Sequence, residues 1–386
     1  MIKIGIRHNL IYPLILLIFS SLREILSILL KEKIKFDESL LLEYIMFLSE
    51  FTTGLIMYLY YLIINKTKKA IKKKELMGIK LIIEVPKMKY PDSKIKIFFL
   101  IFVEGFLDFI SFSMHIYYIP KINSELFNFL KIPLISILLT SYSSFFCIHL
   151  LKFEIQKHQK YSLYIILLCL IIIVISDSCF IFISKNINAH YWVSVIVSIF
   201  LNYLFRSLID VIDKYLFEYI FLNPFLLIMI EGIIGLLLSS FHLLIKNPFK
   251  GIKKFYDNNN ETKFSLLIIA FILYFIFSGG KNLYVRLTNN LYSPMAWILT
   301  DSIIEPFIFT YNFYFSDERL SERNVLCFII NITISIIIVF CACVYNELFV
   351  LYFCDLHINT HYEISRRANE TIDSLDYRLD EDNNTI

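Results

Sequence analysis

Charged residues are scarce in this sequence. Only 18% of its 386 residues are Asp, Glu, Lys or Arg, whereas an average soluble domain carries about a quarter. Glycine and proline are also sparse, nine of each, so little interrupts the apolar runs. The net charge of +3 is nearly balanced and indicates no polyanionic partner. These shortages exclude soluble globular, disordered, fibrous and nucleic-acid-binding proteins.

Paired cysteines and enzyme motifs are missing as well. The seven cysteines form no Cys-x-x-Cys pair and no zinc-type cluster with histidine. No nucleophile elbow, His-Glu-x-x-His motif, Walker loop or dinucleotide-binding glycine motif stands in the context that its chemistry needs. The sequence therefore predicts neither an enzyme nor a metal or cofactor site, although an intramembrane enzyme stays an alternative.

The sequence contains long hydrophobic runs instead. Hydrophobic residues make up 57% of the chain, and a membrane-spanning helix needs about 20 of them in a row. Such runs are too long for the strands of a membrane barrel. They predict an all-α membrane protein with ten transmembrane helices. The predicted spans are 10–30, 41–64, 95–117, 124–149, 161–183, 191–219, 224–245, 264–285, 291–315 and 322–345.

Lysine-rich loops predict the orientation. Segment 65–94 carries ten lysines and segment 150–160 three, and an even number of spans places both on the side of the termini. The positive-inside rule then puts both termini in the cytosol. The five lysines of loop 246–263 oppose this orientation without outweighing it. Residues 346–386 are expected to form a polar cytosolic tail, either disordered or associated with the surface.

A short motif occurs twice, five predicted helices apart. Glu50 to Gly54 and Glu231 to Gly235 both read Glu-x-x-x-Gly. Two halves of five helices must have opposite orientations, as in the inverted repeats of secondary transporters. We therefore expect a first repeat over 1–183 and a second over 184–345.

Ionisable residues inside apolar spans are the best functional signal. A charge at the bilayer centre costs from about 3 kcal/mol upward, so such side chains normally face a bundle interior or a wet cavity. Asp210 lies one turn after Arg206, which predicts an ion pair along one helix. Glu43 lies near a helix end and is expected to reach the interface. Glu104 and Asp108 have the same charge and require a distant cation, a bound proton or water.

Three lysines are candidates for a central cavity. Lys131 and Asn128 share one helix face, and we expect both to contact substrate; the alternative is that Lys131 neutralises Asp108. Lys281 follows Gly279 and Gly280, and a glycine pair allows close approach to a ligand. Lys214 is a further candidate cation.

The segment that contains Asp108 and residues 124–131 resembles a known family. With Ser124, Asn128 and Lys131 it is similar to the "D … S-x-x-x-Q-M-L-R-G" segment of the solute carrier 35 family, F branch, in the drug/metabolite transporter superfamily with EamA-type repeats. Further matching segments are Asp213-Lys214-Tyr215, Asn223-Pro224, Glu231 to Gly235, Asp177, Asp301-Ser302 and Tyr345-Asn346-Glu347. Trp297 and Ile304 stand where the family commonly has arginines.

The resemblance implies a ten-helix, inverted-repeat transporter that works by alternating access in an internal membrane, such as that of the Golgi, endoplasmic reticulum or vacuole. The implied substrate is a small anionic metabolite, nucleotide-sugar-like or another organic anion. A transporter of cationic drugs or amino acids and a non-transporting scaffold or receptor stay as alternatives, and a homodimer is left open. The expected cavity residues are Asp108, Asn128, Lys131, Asn202, Lys214, Glu231, Lys281, Asn282 and Asp301.

The orientation predicts a glycosylation pattern. Asn260 begins an Asn-x-Thr acceptor in the loop expected on the lumenal side, and Asn65 begins another expected in the cytosol. Glycosidase digestion of the wild type and of Asn260→Gln should show a glycan on Asn260 only. A glycan on Asn65 and none on Asn260 would show that the orientation is the reverse of the predicted one.

Overall fold

The structure is a computed structural model, and it describes most of the helical regions. The described residues are 2–4, 11–30, 34, 36, 39–75, 94–117, 138–152, 156–184, 189–218, 220–246, 249–258, 261–291, 294–301, 322–347, 349–352, 354–358, 360 and 363.

These residues are almost entirely helical. The helices are α1 (Ile11–Leu29), α2 (Ser39–Glu75), α3 (Lys94–Tyr117), α4 (described over 138–149), α5 (Lys157–Ser184), α6 (Ala189–Glu218), α7 (Pro224–Lys246), α8 (Phe249–Asn258), α9 (Glu261–Leu291), α10 (Pro294–Asp301) and α11 (Glu322–Tyr345). Two short strands, β1 (Ile2–Ile4) and β2 (Phe349–Leu351), pair antiparallel with Lys3 opposite Val350.

Four of the described helices are long and apolar enough to cross a bilayer. Their apolar spans are Leu40–Ile64 in α2, Ile95–Met114 in α3, Pro224–Leu244 in α7 and Lys263–Leu291 in α9. Their outer faces carry large apolar side chains, among them Phe98 and Phe99 of α3 and Ile269 and Ile272 of α9. Helices that carry apolar side chains on their outer faces and polar side chains inside the bundle fit an all-α membrane protein, as the composition predicts.

Two helices continue more than five residues past the predicted end of their span. α2 continues to Glu75, eleven residues past the predicted end at 64, since lysine-rich sequence favours a helix in water as well. α9 continues to Leu291, six residues past the predicted end at 285. The predicted loop 246–263 contains the unpredicted helix α8, which packs Ile252 and Phe255 against the core.

The start of the C-terminal tail is packed, not disordered. β2 pairs with the N-terminal strand β1, and Leu351 and Leu356 form an apolar cluster with Val344 of α11. The expectation of a polar tail overlooked that residues 348–353 are all apolar or aromatic. Such a run forms a strand when a partner edge is available.

The two Glu-x-x-x-Gly motifs lie against each other where α2 crosses α7. A Cβ atom added to Gly54 would lie 2.6 Å from the main-chain nitrogen of Met229, and one added to Gly232 would overlap the main chain of Phe51. Only glycine allows two helix backbones to approach so closely. The repeated motif therefore lies at a close contact between two helix backbones.

Gly279 and Gly280 also serve helix packing. A Cβ on Gly279 would meet Thr53 of α2, and one on Gly280 would meet the ring of Phe19 on α1. Helix α9 is continuous through both positions. The expectation that this pair lets a ligand approach the backbone is therefore wrong, because both glycines face neighbouring helices.

Gly54→Ala should lower stability by about 1–3 kcal/mol, because the added methyl group meets main-chain atoms that cannot rotate away. Gly105→Ala is the matched control, since its added Cβ would meet only side-chain atoms of Ile234, the nearest at 2.9 Å. Thermal unfolding in detergent measures both variants. Equal melting temperatures for Gly54→Ala and the wild type would contradict the close crossing.

Candidate buried charge network

The side chain of Arg286 lies inside the helix bundle among four carboxyl groups. It comes from α9 and is only 4% exposed. Its Nη2 donates to Glu104 Oε1 of α3 at 3.0 Å and to Glu231 Oε1 of α7 at 2.9 Å. Its Nη1 donates to Asp213 of α6 and lies 4.0 Å from Asp210 Oδ1. We call these five residues the Arg286 cluster.

Helical spacing explains how the cluster forms. Asp210 and Asp213 are three residues apart in α6 and share one face, which points toward α9. α3 and α7 each supply one glutamate to the same guanidinium group. Arginine suits this position because its planar fork of five N–H donors can serve several carboxylates at once.

Asn289 extends the network by one turn of α9. Its side chain is fully buried, and Nδ2 donates to the main-chain oxygen of Asp210 at 2.9 Å and to Asp213 Oδ2 at 3.4 Å. Both neighbours are acceptors, which fixes the orientation of the amide group. α6 and α9 are therefore joined through side-chain and main-chain atoms together.

A second ion pair lies between α3 and α6. Arg206 Nη1 donates to Asp108 Oδ1 at 2.8 Å, and the guanidinium carbon lies 5.6 Å from the centre of the Trp297 ring. The expected pair of Arg206 with Asp210 is therefore wrong: the Arg206 side chain reaches across to α3. The cation that Asp108 requires comes from another helix.

Glu43 and Glu50 of α2 are buried as well. Glu50 accepts a hydrogen bond from Asn282 of α9. Glu43 is fully buried, accepts a hydrogen bond from Ser113 Oγ at 2.8 Å and lies 3.6 Å from His242 Nδ1. The expectation that Glu43 reaches the interface is wrong, because α3 and α7 cover this end of α2.

The predicted cavity residues differ in where the structure places them. Asp108, Glu231 and Asn282 belong to the network, and Asn202 accepts a hydrogen bond from Ser111 Oγ at 2.7 Å beside it. Lys214 donates to the main-chain oxygen of Asn290 and pairs with Glu218. Lys281 is buried on α9. Asp301 ends α10, and Asn128 and Lys131 lie outside the described residues.

Sequence reasoning missed the central residue of the network. The predicted span ended at 285, which assigned Arg286 to a loop. The spacing of Asn282, Arg286 and Asn289 holds the missing signal, since residues three or four apart share one helix face. Glu104 and Asp210 are predicted as ionisable residues inside apolar spans, but nothing in the sequence places either of them beside Arg286.

Carboxylate oxygens of Glu104, Asp213 and Glu231 lie within 4.8 Å of one another, a spacing that could hold a metal ion. Arg286 already donates hydrogen bonds to these three groups. A metal ion at the same place would lie beside a guanidinium cation, and the two positive charges would repel each other. The cluster therefore contains its own cation in this conformation.

Acids outnumber bases in the interior that the structure describes. Helices α2, α3, α6, α7 and α9 bury seven carboxyl groups but only three basic side chains, with Arg206 half-buried as a fourth. The carboxyl groups are those of Glu43, Glu50, Glu104, Asp108, Asp210, Asp213 and Glu231, and the buried bases are Lys214, Lys281 and Arg286.

No protein-family model matches this chain. No curated protein matches its sequence either.

Arg286→Gln should destabilise the protein by about 3–5 kcal/mol, because it leaves buried carboxylates without a cation. Arg286→Lys keeps the charge but loses the fork of donors, so we expect an intermediate loss. Arg206→Gln is the control, as it affects one carboxylate and a side chain that is 23% exposed. Unfolding midpoints in detergent measure the stabilities of the three variants. Equal stability of Arg286→Gln and Arg206→Gln would contradict the central role of Arg286.

Proposed function

We propose that this protein is a secondary transporter of the drug/metabolite type, with ten transmembrane helices in two inverted five-helix repeats. The observation that carries the proposal is the buried charge network shared by α2, α3, α6, α7 and α9. A static membrane anchor gains nothing from so many costly interior charges, whereas transporters use them for substrates and ions. We further propose that it works by alternating access in an intracellular membrane, with both termini cytosolic.

The pattern of helix contacts supports the inverted repeat. If the short α8 is not counted, a shift of five helices along the chain relates α1 to α6, α2 to α7, and α3 to α9. The contact of α1 with α9 then corresponds to that of α6 with α3, and α2 with α9 corresponds to α7 with α3. The pairs α2–α7 and α5–α11 join equivalent helices of the two halves. This pairwise agreement is expected from a twofold axis in the membrane plane.

The pairing of β1 with β2 supports an even number of spans. Residues 2–4 lie beside residues 349–351, so both ends of the helical region are on one side. An odd number of crossings would separate them by the thickness of the bilayer, about 30 Å.

The substrate has two candidates of opposite charge. The family resemblance favours a small organic anion, which the half-buried Arg206 and the buried Lys281 could bind. The excess of buried carboxyl groups favours a cationic solute, such as an organic cation or a basic amino acid. Of the two, the charge balance of the described helices supports the cation.

Uptake into proteoliposomes tests the proposal. Purified protein should exchange at least one labelled solute from a panel of nucleotide sugars, organic anions, amino acids and organic cations. Exchange should saturate and should accelerate when the same solute is present inside the vesicles, as alternating access requires. Arg206→Gln should weaken uptake of an anion, while Glu50→Gln should weaken uptake of a cation.

Vesicles without protein and vesicles with Gly54→Ala protein are the controls for leak and for misfolding. A folded wild-type protein that moves no member of the panel would contradict the transporter and favour the scaffold or receptor.

A further inference from the structure

Asp210 differs from the other acids of the Arg286 cluster. Glu104, Asp213 and Glu231 each accept a hydrogen bond from Arg286. Asp210 is fully buried, and neither of its carboxyl oxygens has a hydrogen-bond partner among the described residues. An ionised carboxylate in such a place loses its hydration and gains no donor in return, which is strongly unfavourable.

Neighbouring charges do not compensate for this burial. The strongest interactions of the Asp210 carboxyl are with two arginines, Arg206 and Arg286, and with two acids, Asp108 and Asp213. These four side chains carry no net charge that could replace the hydration lost by a buried carboxylate. The ionisable groups on the elements around Asp210 are Glu104, Asp108, Cys147, Arg206, Asp213, Lys214, Glu231 and Arg286.

A second, independent observation indicates a missing donor at the same place. Asn289 is fully buried, and its Oδ1 has no hydrogen-bond partner among the described residues. The Nδ2 of the same amide donates to the main-chain oxygen of Asp210 at 2.9 Å. Two buried side chains at this one contact between α6 and α9 thus each have oxygen acceptors without a donor. A proton on the Asp210 carboxyl would reduce the larger deficit, because a neutral carboxyl group costs less to bury than a carboxylate.

We propose that Asp210 is a proton-binding site: its carboxyl group is protonated in this conformation and releases the proton when the site opens to water. The O–H bond of the carboxyl breaks, the proton passes to water, and the carboxylate remains to pair with Arg286. The proton is the ligand rather than a metal ion, because the guanidinium group already fills the cluster. Coupling of this proton to transport rests on the proposed function, whereas its binding does not.

Infrared spectroscopy of the protein in lipid vesicles at neutral pH tests proton binding without any substrate. The wild type should show a carboxylic-acid C=O band, and Asp210→Asn should lose one component of it. Glu218→Gln is the control, because Glu218 is 37% exposed and pairs with Lys214, so the band should not change. If Asp210→Asn does not fold, Asp210→Glu should shift the same component.

The proposal is overturned if the wild type has no such band, or if the folded Asp210 variants leave it unaltered. Coupling is measured separately, with an imposed pH gradient and a pH-sensitive dye trapped in the vesicles. The wild type should dissipate the gradient faster than Asp210→Asn. A wild type with the infrared band but without proton flux would refute the coupling and leave the binding site standing.

Discussion

The attraction between one buried guanidinium group and its surrounding carboxylates is the interaction on which this bundle depends. Arg286 joins α9 to α3, α6 and α7, so three helix–helix interfaces share one cation. In a bilayer interior neither water nor lipid could replace it, since each unpaired charge there costs several kcal/mol. The position of α9 relative to the other three helices is therefore tied to the state of this cluster.

The close crossing of α2 and α7 complements this electrostatic constraint. Gly54 and Gly232 bring the two backbones into contact, while Glu50 and Glu231 of the same motifs reach α9. One short motif thus supplies a small residue for packing and an acid for the network. Packing thus fixes one helix pair, and the acids of the same motifs join that pair to α9, an arrangement compatible with the alternating access that we propose.

Much of the fold could be predicted from the sequence because its signals are local. Hydropathy locates the helices, as for Glu322–Tyr345, where prediction and structure agree at both ends. Partners across helices could not be predicted, since spacing along one helix says nothing of its neighbours. Arg206 pairs with Asp108, 98 residues away. Arg286 was not recognised because the predicted span ended one residue before it, whereas α9 continues to Leu291. Gly279 and Gly280 show the same limit. A glycine pair indicates that another group approaches the helix closely, but not whether that group is a ligand or a neighbouring helix.

The measurement that tests the central claim most directly is the energetic coupling between Arg286 and Asp213. Unfolding free energies of Arg286→Gln, Asp213→Asn and the double variant form a double-mutant cycle. If the cluster depends on their attraction, the double variant should be more stable than the sum of the single losses predicts, by at least about 1 kcal/mol. Additive losses would show that the two residues do not interact and would contradict the account.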